Sequence, residues 1–158
     1  MKDPTLEDSY RKEMDVDGAK CILEIVDTAA TEQYNAMHDL YMRNADGFVT
    51  VYSITDLKSF DEVAEVHERI LRMKDTDRFP IVLVGNKCDL SDQRAVSTDQ
   101  GQQMADKIGD CGFVESSAKT NTNVEVIFKE MVLLINDFDV RMGIDRRRRK
   151  KKVACSLL

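Results

Sequence analysis

No uninterrupted apolar run in this chain of 158 residues approaches the ~20 residues that a membrane-spanning helix needs, and Met1-Lys2-Asp3-Pro4 opens no apolar signal region. Any membrane contact is therefore expected to be peripheral. The four cysteines, Cys21, Cys88, Cys111 and Cys155, fall at no metal-ligand spacing and do not resemble a small disulfide scaffold, which points to a reducing cytosol. His38 and His67, the only histidines, have no nucleophile or ligand set near them in sequence. None of the glycines (Gly18, Gly47, Gly85, Gly101, Gly109, Gly112, Gly143) begins a G-x-x-x-x-G-K-[ST] run, so the chain carries no phosphate-cradling loop of that kind. Internal repeats are also missing, and the one biased segment is the basic run Arg146 to Lys152.

A hydrophobic content of 42% in a chain of this length supplies the core of one globular domain and requires no second. The net charge of −6 conceals a split, because seven of the 23 basic residues lie in that run and the rest of the chain is strongly acidic. An acidic body argues against nucleic acid as the main partner, since phosphate binding needs positive charge over a shaped surface. A basic tail alone leaves a weaker role open, in RNA binding or nuclear targeting.

Ser9 to Val16 and Lys20 to Asp27 read as strands joined by Asp17-Gly18, a dipeptide suited to the positive φ values of a tight hairpin turn. Further strands are predicted at Gly47–Ser53, Phe79–Asn86 and Cys111–Glu115, separated by segments of helical spacing. That alternation predicts an α/β fold: a mostly parallel open sheet with one antiparallel hairpin strand and flanking helices. Ser97 with Gln100, and Thr122 with Glu125, match the capping-box spacing at helix starts. Two apolar stripes are expected to face the core: Phe60, Val63, Ala64, Ile70 and Leu71 in one helix, and Val124, Ile127, Phe128, Met131, Leu134, Ile135 and Phe138 in the last. His67, at the edge of the first stripe, reads as a partly covered surface residue.

The tetrad Asn86-Lys87-Cys88-Asp89 follows the apolar run Ile81-Val82-Leu83-Val84-Gly85. Open parallel sheets deliver ligand-binding side chains beyond the carboxyl ends of such strands. Asp89 would accept from guanine N1–H and the exocyclic amine with its two carboxylate oxygens, while Asn86 donates to N7 and the Lys87 stem packs along the base. Adenine, with an acceptor at N1 and no 2-amino group, would leave the carboxylate unpaired. By itself the tetrad is equally an ordinary turn, because Asn, Lys and Asp are common loop residues.

Further segments stand in a telling order around it. Asp3-Pro4-Thr5-Leu6-Glu7-Asp8-Ser9-Tyr10-Arg11-Lys12 resembles the first switch and effector loop of the Ras superfamily of small GTPases, and Asp27-Thr28-Ala29-Ala30-Thr31-Glu32-Gln33-Tyr34 the second switch. Glu115-Ser116-Ser117-Ala118-Lys119 is similar to the second guanine-binding loop, and Cys155-Ser156-Leu157-Leu158 to a prenylation signal. Thr31, Leu40-Tyr41-Met42 and Leu71 to Thr76 most resemble the Rap branch. The resemblance implies GTP/GDP and Mg²⁺ as ligands. Thr5 would bind Mg²⁺ through its hydroxyl and the γ-phosphate through its backbone N–H, and Asp27 would hold Mg²⁺ through water. The Ala118 N–H would donate to guanine O6, Ser117 would shape the loop, and Lys119 would cover the base opposite Lys87.

The family's phosphate loop lies upstream of the first switch, so the first strand, that loop and the first helix are expected to be missing from this stretch, as in a truncated product or an incomplete gene model. Two residues at the expected catalytic positions also depart from the family. Ala30 stands where glycine meets the γ-phosphate, and its Cβ is expected to restrict the backbone swing. Thr31 replaces the glutamine that orients the attacking water, which predicts slow intrinsic hydrolysis and an amide supplied in trans by a GTPase-activating protein.

Edge strand Ser9 to Val16, with Glu7, Asp8, Ser9, Tyr10 and Arg11, is the expected surface for effector proteins: free backbone groups pair with a partner strand and the carboxylates select a basic surface. Residues 1–141 form the expected GTPase domain, and 142–158 a basic tail lipidated at Cys155. Leu158 in last place favours a geranylgeranyl chain, and a lipid plus the basic run makes a two-signal anchor to an anionic membrane. The expected protein is thus a monomeric Rap-like switch at the cytoplasmic face of a membrane, the plasma membrane foremost, met by effectors, exchange factors and GTPase-activating proteins. A nucleotide-independent, membrane-tethered effector-binding module is the alternative.

Overall fold

The computed structural model describes residues 9–27, 40, 42–109, 111–144 and 150–158, with Ser9, Tyr10, Asp27 and Leu157 described by backbone alone. Thr5, Glu7, Asp8, Ala30, Thr31 and His38 lie outside the described residues.

Strand β1 (Ser9–Val16) turns through Asp17 and Gly18, both at positive φ (52° and 80°), into β2 (Ala19–Asp27). Positive φ at both central residues gives a turn whose twist matches that of the flanking strands, as the Asp-Gly pair predicts. The two strands pair antiparallel from Ser9↔Val26 to Val16↔Ala19. Next come β3 (Gly47–Ser53), α1 (Leu57–Asp61), α2 (Val63–Lys74), β4 (Ile81–Asn86), a 3₁₀ helix (Cys88–Gln93), α3 (Thr98–Ile108), β5 (Cys111–Glu115) and α4 (Val124–Met142). A final strand, β6 (Lys151–Leu157), closes the chain. The six strands form one sheet in the order β1-β2-β6-β3-β4-β5, parallel except for the hairpin.

That order holds the main surprise. The segment expected to be a membrane-targeting tail supplies, from Lys151 to Leu157, a strand in the interior of the sheet. Losing a central strand would strip backbone hydrogen bonds from both neighbours, and buried backbone groups are almost always paired. Here β6 pairs with β2 from Leu23↔Lys151 to Asp27↔Cys155, and with β3 from Gly47↔Val153 to Val51↔Leu157. At its start the Asp46 N–H donates to the Lys152 carbonyl (2.7 Å) and the Asp46 carboxylate accepts from the Lys152 N–H (2.9 Å). At its end the Leu158 N–H donates to the Val51 carbonyl (2.8 Å).

Successive side chains of a strand point to opposite faces, so each central strand feeds two cores. On one face Val49, Val82, Val84, Val114 and Val153 pack against Ile127, Met131, Val132 and Ile135 of α4. On the other, Phe48, Ile81 and Ala154 meet Val66 and Ile70, while Tyr52 and Leu83 meet Phe60, Val63 and Ala105. The apolar runs of β3 and β4 are therefore the mark of strands covered on both faces. The stripe read for α4 faces the core as predicted. In α2, Val66 is buried in place of Ala64, which is exposed, and His67 is half-buried as expected.

The Ser97 capping box forms: its N–H donates to Gln100 Oε1 (2.8 Å) and its Oγ accepts from the Gln100 N–H (3.0 Å). The box expected of Thr122 and Glu125 does not. α4 begins after Asn123, in the left-handed region with no side-chain cap, and Thr122 Oγ1 instead shares a hydrogen bond with Thr120 Oγ1 (2.6 Å). A backbone bridge from Thr122 to Ser117 holds Thr122 outside the helix. Among the described residues, no helix is long and apolar enough to cross a membrane.

Candidate functional site

β4 and β5 are parallel neighbours with Gly85 opposite Glu115, so the loops leaving their carboxyl ends emerge side by side. Asn86 closes β4, half-buried, and its carbonyl accepts from the Ile54 N–H (3.0 Å). Lys87 takes φ 68°, ψ 34°, which turns the chain sharply into the 3₁₀ helix and leaves its own side chain exposed. A β4 residue that had continued extended would have carried Asp89 away from the sheet edge. Instead the Cys88 N–H donates to the Ser116 carbonyl (3.0 Å), and the two loops are stitched together.

Side chains complete the seam. Ser117, fully buried, donates from Oγ to Asp89 Oδ1 at 2.6 Å, and the Ser116 hydroxyl reaches Asn86 Oδ1 at 3.4 Å. Ser117 also accepts from the Thr120 N–H (3.2 Å), which shapes the turn carrying Ala118 and Lys119, both exposed. Reciprocal backbone bonds between Ser117 and Thr122 (3.1 and 2.9 Å) close that turn. A buried hydroxyl thus fixes one side of an exposed carboxylate, while the lysine stems of Lys87 and Lys119 rise from two adjacent loops. This arrangement suits a planar base that offers two adjacent N–H donors along one edge.

Support for the seam comes from residues that sequence reasoning missed. Arg94 forms a two-pronged ion pair with Glu115 (2.7 and 2.9 Å), and Thr98 Oγ1 donates to the same carboxylate (3.1 Å). The hydrogen bond to Glu115 raises the pKa of Arg94 further, keeping the guanidinium charged. Asn123 Nδ2 donates to the Glu115 carbonyl (2.8 Å), which ties the start of α4 to the end of β5. Glu115 sits in the quoted second loop, but its partner Arg94 is 21 residues away and nothing local in sequence pairs them.

The structure brings together Asn86, Lys87, Asp89, Ser117, Ala118 and Lys119. Asp27 ends β2, its backbone opposite Cys155 of β6. Ser9, Tyr10 and Arg11 lie on β1, which is an edge strand, and Lys12 of that strand forms an ion pair with Glu125 of α4. Cys155 is half-buried against the α4-side core, in the sheet. The residues present fit the guanine base, whereas of the two magnesium positions expected from sequence only the Asp27 backbone is among the described residues.

A family model described as the Ras family matches residues 1–137.

Proposed function

The chain belongs to the Ras family of small GTPases, and from that premise we propose that it is a Rap-like, membrane-proximal GTP/GDP switch. Members of the family generally bind GTP or GDP with Mg²⁺ and meet effectors, exchange factors and GTPase-activating proteins. The observation that carries the reading is the 2.6 Å hydrogen bond from Ser117 to Asp89, which joins two loops into one base-reading seam. Asp89 would accept from guanine N1–H and the 2-amino group, and the Ala118 N–H would donate to O6. Lys87 and Lys119 would close over the two faces of the ring, and adenine would leave the carboxylate unpaired.

Thr5 and Asp27 are the residues that would hold Mg²⁺, which screens the phosphate charge when bound. In the intact reaction, water would attack the γ-phosphate in line. Thr31, in place of an amide side chain, would orient that water poorly, so turnover would depend on a group supplied by a partner. Effectors would add a strand to the free edge of β1, through the backbone of Ser9 to Arg11 with Glu7 and Asp8 beside it. The terminal Cys155-Ser156-Leu157-Leu158 would take a geranylgeranyl chain, and with the basic run would hold the protein on an anionic leaflet.

A second reading has its own support. β6 pairs with both β2 and β3, so the sheet that carries the β1 edge is continuous within this chain. A nucleotide-independent module that presents the β1 edge to effectors would have this property. Equilibrium binding of a fluorescent GDP in the presence of Mg²⁺ separates the two. Micromolar or tighter binding that GDP competes away and ADP does not supports the switch; a folded chain that binds neither supports the module and defeats the switch.

A further inference from the structure

Cys155, the expected lipid site, and Lys151, one residue of the basic run, both lie on β6, with Lys151 buried and Cys155 half-buried. Lys151, Val153 and Cys155 alternate onto the α4 side of β6; Lys151 and Val153 are buried and Cys155 packs against the same core. Lys151 lines a cavity of about 530 Å³ with Cys21 and Asp139, and its charge lies near enough to Cys21 to oppose the rise that burial causes in that thiol's pKa. On the opposite face Ala154 is buried, and Leu158 packs against Tyr52 and Phe48 clusters. The backbone between them is bonded to β2 on one side and β3 on the other.

We propose that β6 is a retractable strand: inserted between β2 and β3 it masks Cys155 and Lys151 from the membrane machinery, and lipid attachment requires it to leave the sheet. This rests on the lipidation reading above. The chemistry forces the exclusion. Prenyl transfer joins the Cys155 sulfur to C1 of an isoprenoid diphosphate, the C–O bond breaks, diphosphate departs and the thiol proton goes to solvent. The transferase must grip the last four residues in extended form, whereas in the sheet the backbone groups of Cys155, Ser156 and Leu157 already lie between strands. Cys155 packs against the α4-side core, so a twenty-carbon lipid on its sulfur would compete with that packing and in turn hold the strand out. Sheet completion and membrane attachment are then two alternative states of one segment.

The latch at the strand's start is Asp46, which bonds both backbone groups of Lys152 and lies far from the terminal tetrapeptide in sequence. Asp46→Ala loosens the strand without altering the residues a transferase reads, and Val153→Asp, which puts a charge into the α4-side core, is the stronger release. Two readouts are taken on the full 158-residue chain: mass-mapped alkylation of each cysteine, and initial prenyl transfer from geranylgeranyl diphosphate by a purified transferase. Asp46→Ala is expected to raise both rates at Cys155 by about tenfold or more, as a lowered local opening free energy requires, with alkylation of Cys88 unchanged as the guard against global unfolding.

Alkylation of Cys155 in the wild-type chain as fast as in urea, with unprotected amides at 152–158 in hydrogen exchange, would overturn the inserted strand itself. Equal prenyl transfer to wild type and Asp46→Ala, despite different alkylation rates, would overturn the masking. Rapid alkylation of the released variants with no prenyl transfer to any chain would overturn the lipidation reading on which the proposal rests, while leaving the inserted strand, and the nucleotide reading tested by GDP binding, in place.

Discussion

The Ser117 hydroxyl holds Asp89 Oδ1 at 2.6 Å, a bond between a fully buried residue after β5 and an exposed carboxylate after β4. It fixes the carboxylate that would read guanine. Ser117→Ala is expected to weaken GDP binding by roughly tenfold, the worth of one good hydrogen bond lost from an oriented acceptor. On the base-reading proposal Asp89→Ala would remove two charge-assisted bonds to the base, and it should cost about 100-fold or more. Titration of fluorescent GDP into each variant checks both; equal affinity for wild type and Asp89→Ala would remove the base-reading role.

Arg94 and Glu115 form the two-pronged pair beneath the seam, with side chains 23% and 16% exposed. Because both are largely shielded from water, the pair is worth more than a surface bridge. Removing the cation leaves Glu115 with Thr98 as its remaining charge-stabilising side-chain donor. Arg94→Ala is expected to lower unfolding free energy by ~1–3 kcal/mol, and Arg94→Lys to recover only part, because an ammonium cannot make the planar double contact. Urea denaturation measures this directly; a variant as stable as wild type would show the pair to be dispensable.

Gly101 lies inside α3, where alanine would ordinarily favour the helix by about 1 kcal/mol. Here a Cβ would collide with the Phe113 ring and stand 2.5 Å from the Tyr52 hydroxyl, itself buried. Overpacking should win: Gly101→Ala is expected to destabilise by ~1–3 kcal/mol. A higher melting temperature than wild type would show that Phe113 yields easily.

His67 is half-buried on α2, and its Nδ1 has no hydrogen-bond partner among the described residues. Desolvation lowers its pKa below the ordinary 6.5, with Glu68 opposing part of the shift. The folded state therefore resists protonation more than the unfolded one. Its contribution is intact above the unfolded pKa and is lost as pH falls from about 6.5 towards the lower folded value. Between about pH 7.5 and 5.5, wild type should lose more stability than His67→Gln. Parallel denaturation curves at several pH values check this, and identical losses would exclude His67.

Much of this architecture was legible locally. Asp17-Gly18 predicted a turn that needs positive φ twice, Ser97 and Gln100 predicted a capping box, and the apolar runs of β3 and β4 predicted buried parallel strands. Each depends on contacts a few residues apart or on burial from both sides. The Thr122 and Glu125 spacing misled because a backbone bridge to Ser117, five residues earlier in the same turn, claimed Thr122 first. Arg94 was invisible for a related reason: its importance lies in a partner on another element.

The α/β alternation and the hairpin, and the order of the loop residues proposed to read guanine, were legible in the sequence alone. These are properties of short spacings and side-chain chemistry. Only the tertiary structure decided that Asn86 to Asp89 and Ser116 to Lys119 share one seam, and that Lys151 to Leu157 lies inside the sheet. No local preference marks that last segment as a central strand, and its lysines argue for solvent. Its place is set by unpaired backbone on β2 and β3, by the Asp46 latch, and by two cores that bury Val153 on one face and Ala154 on the other.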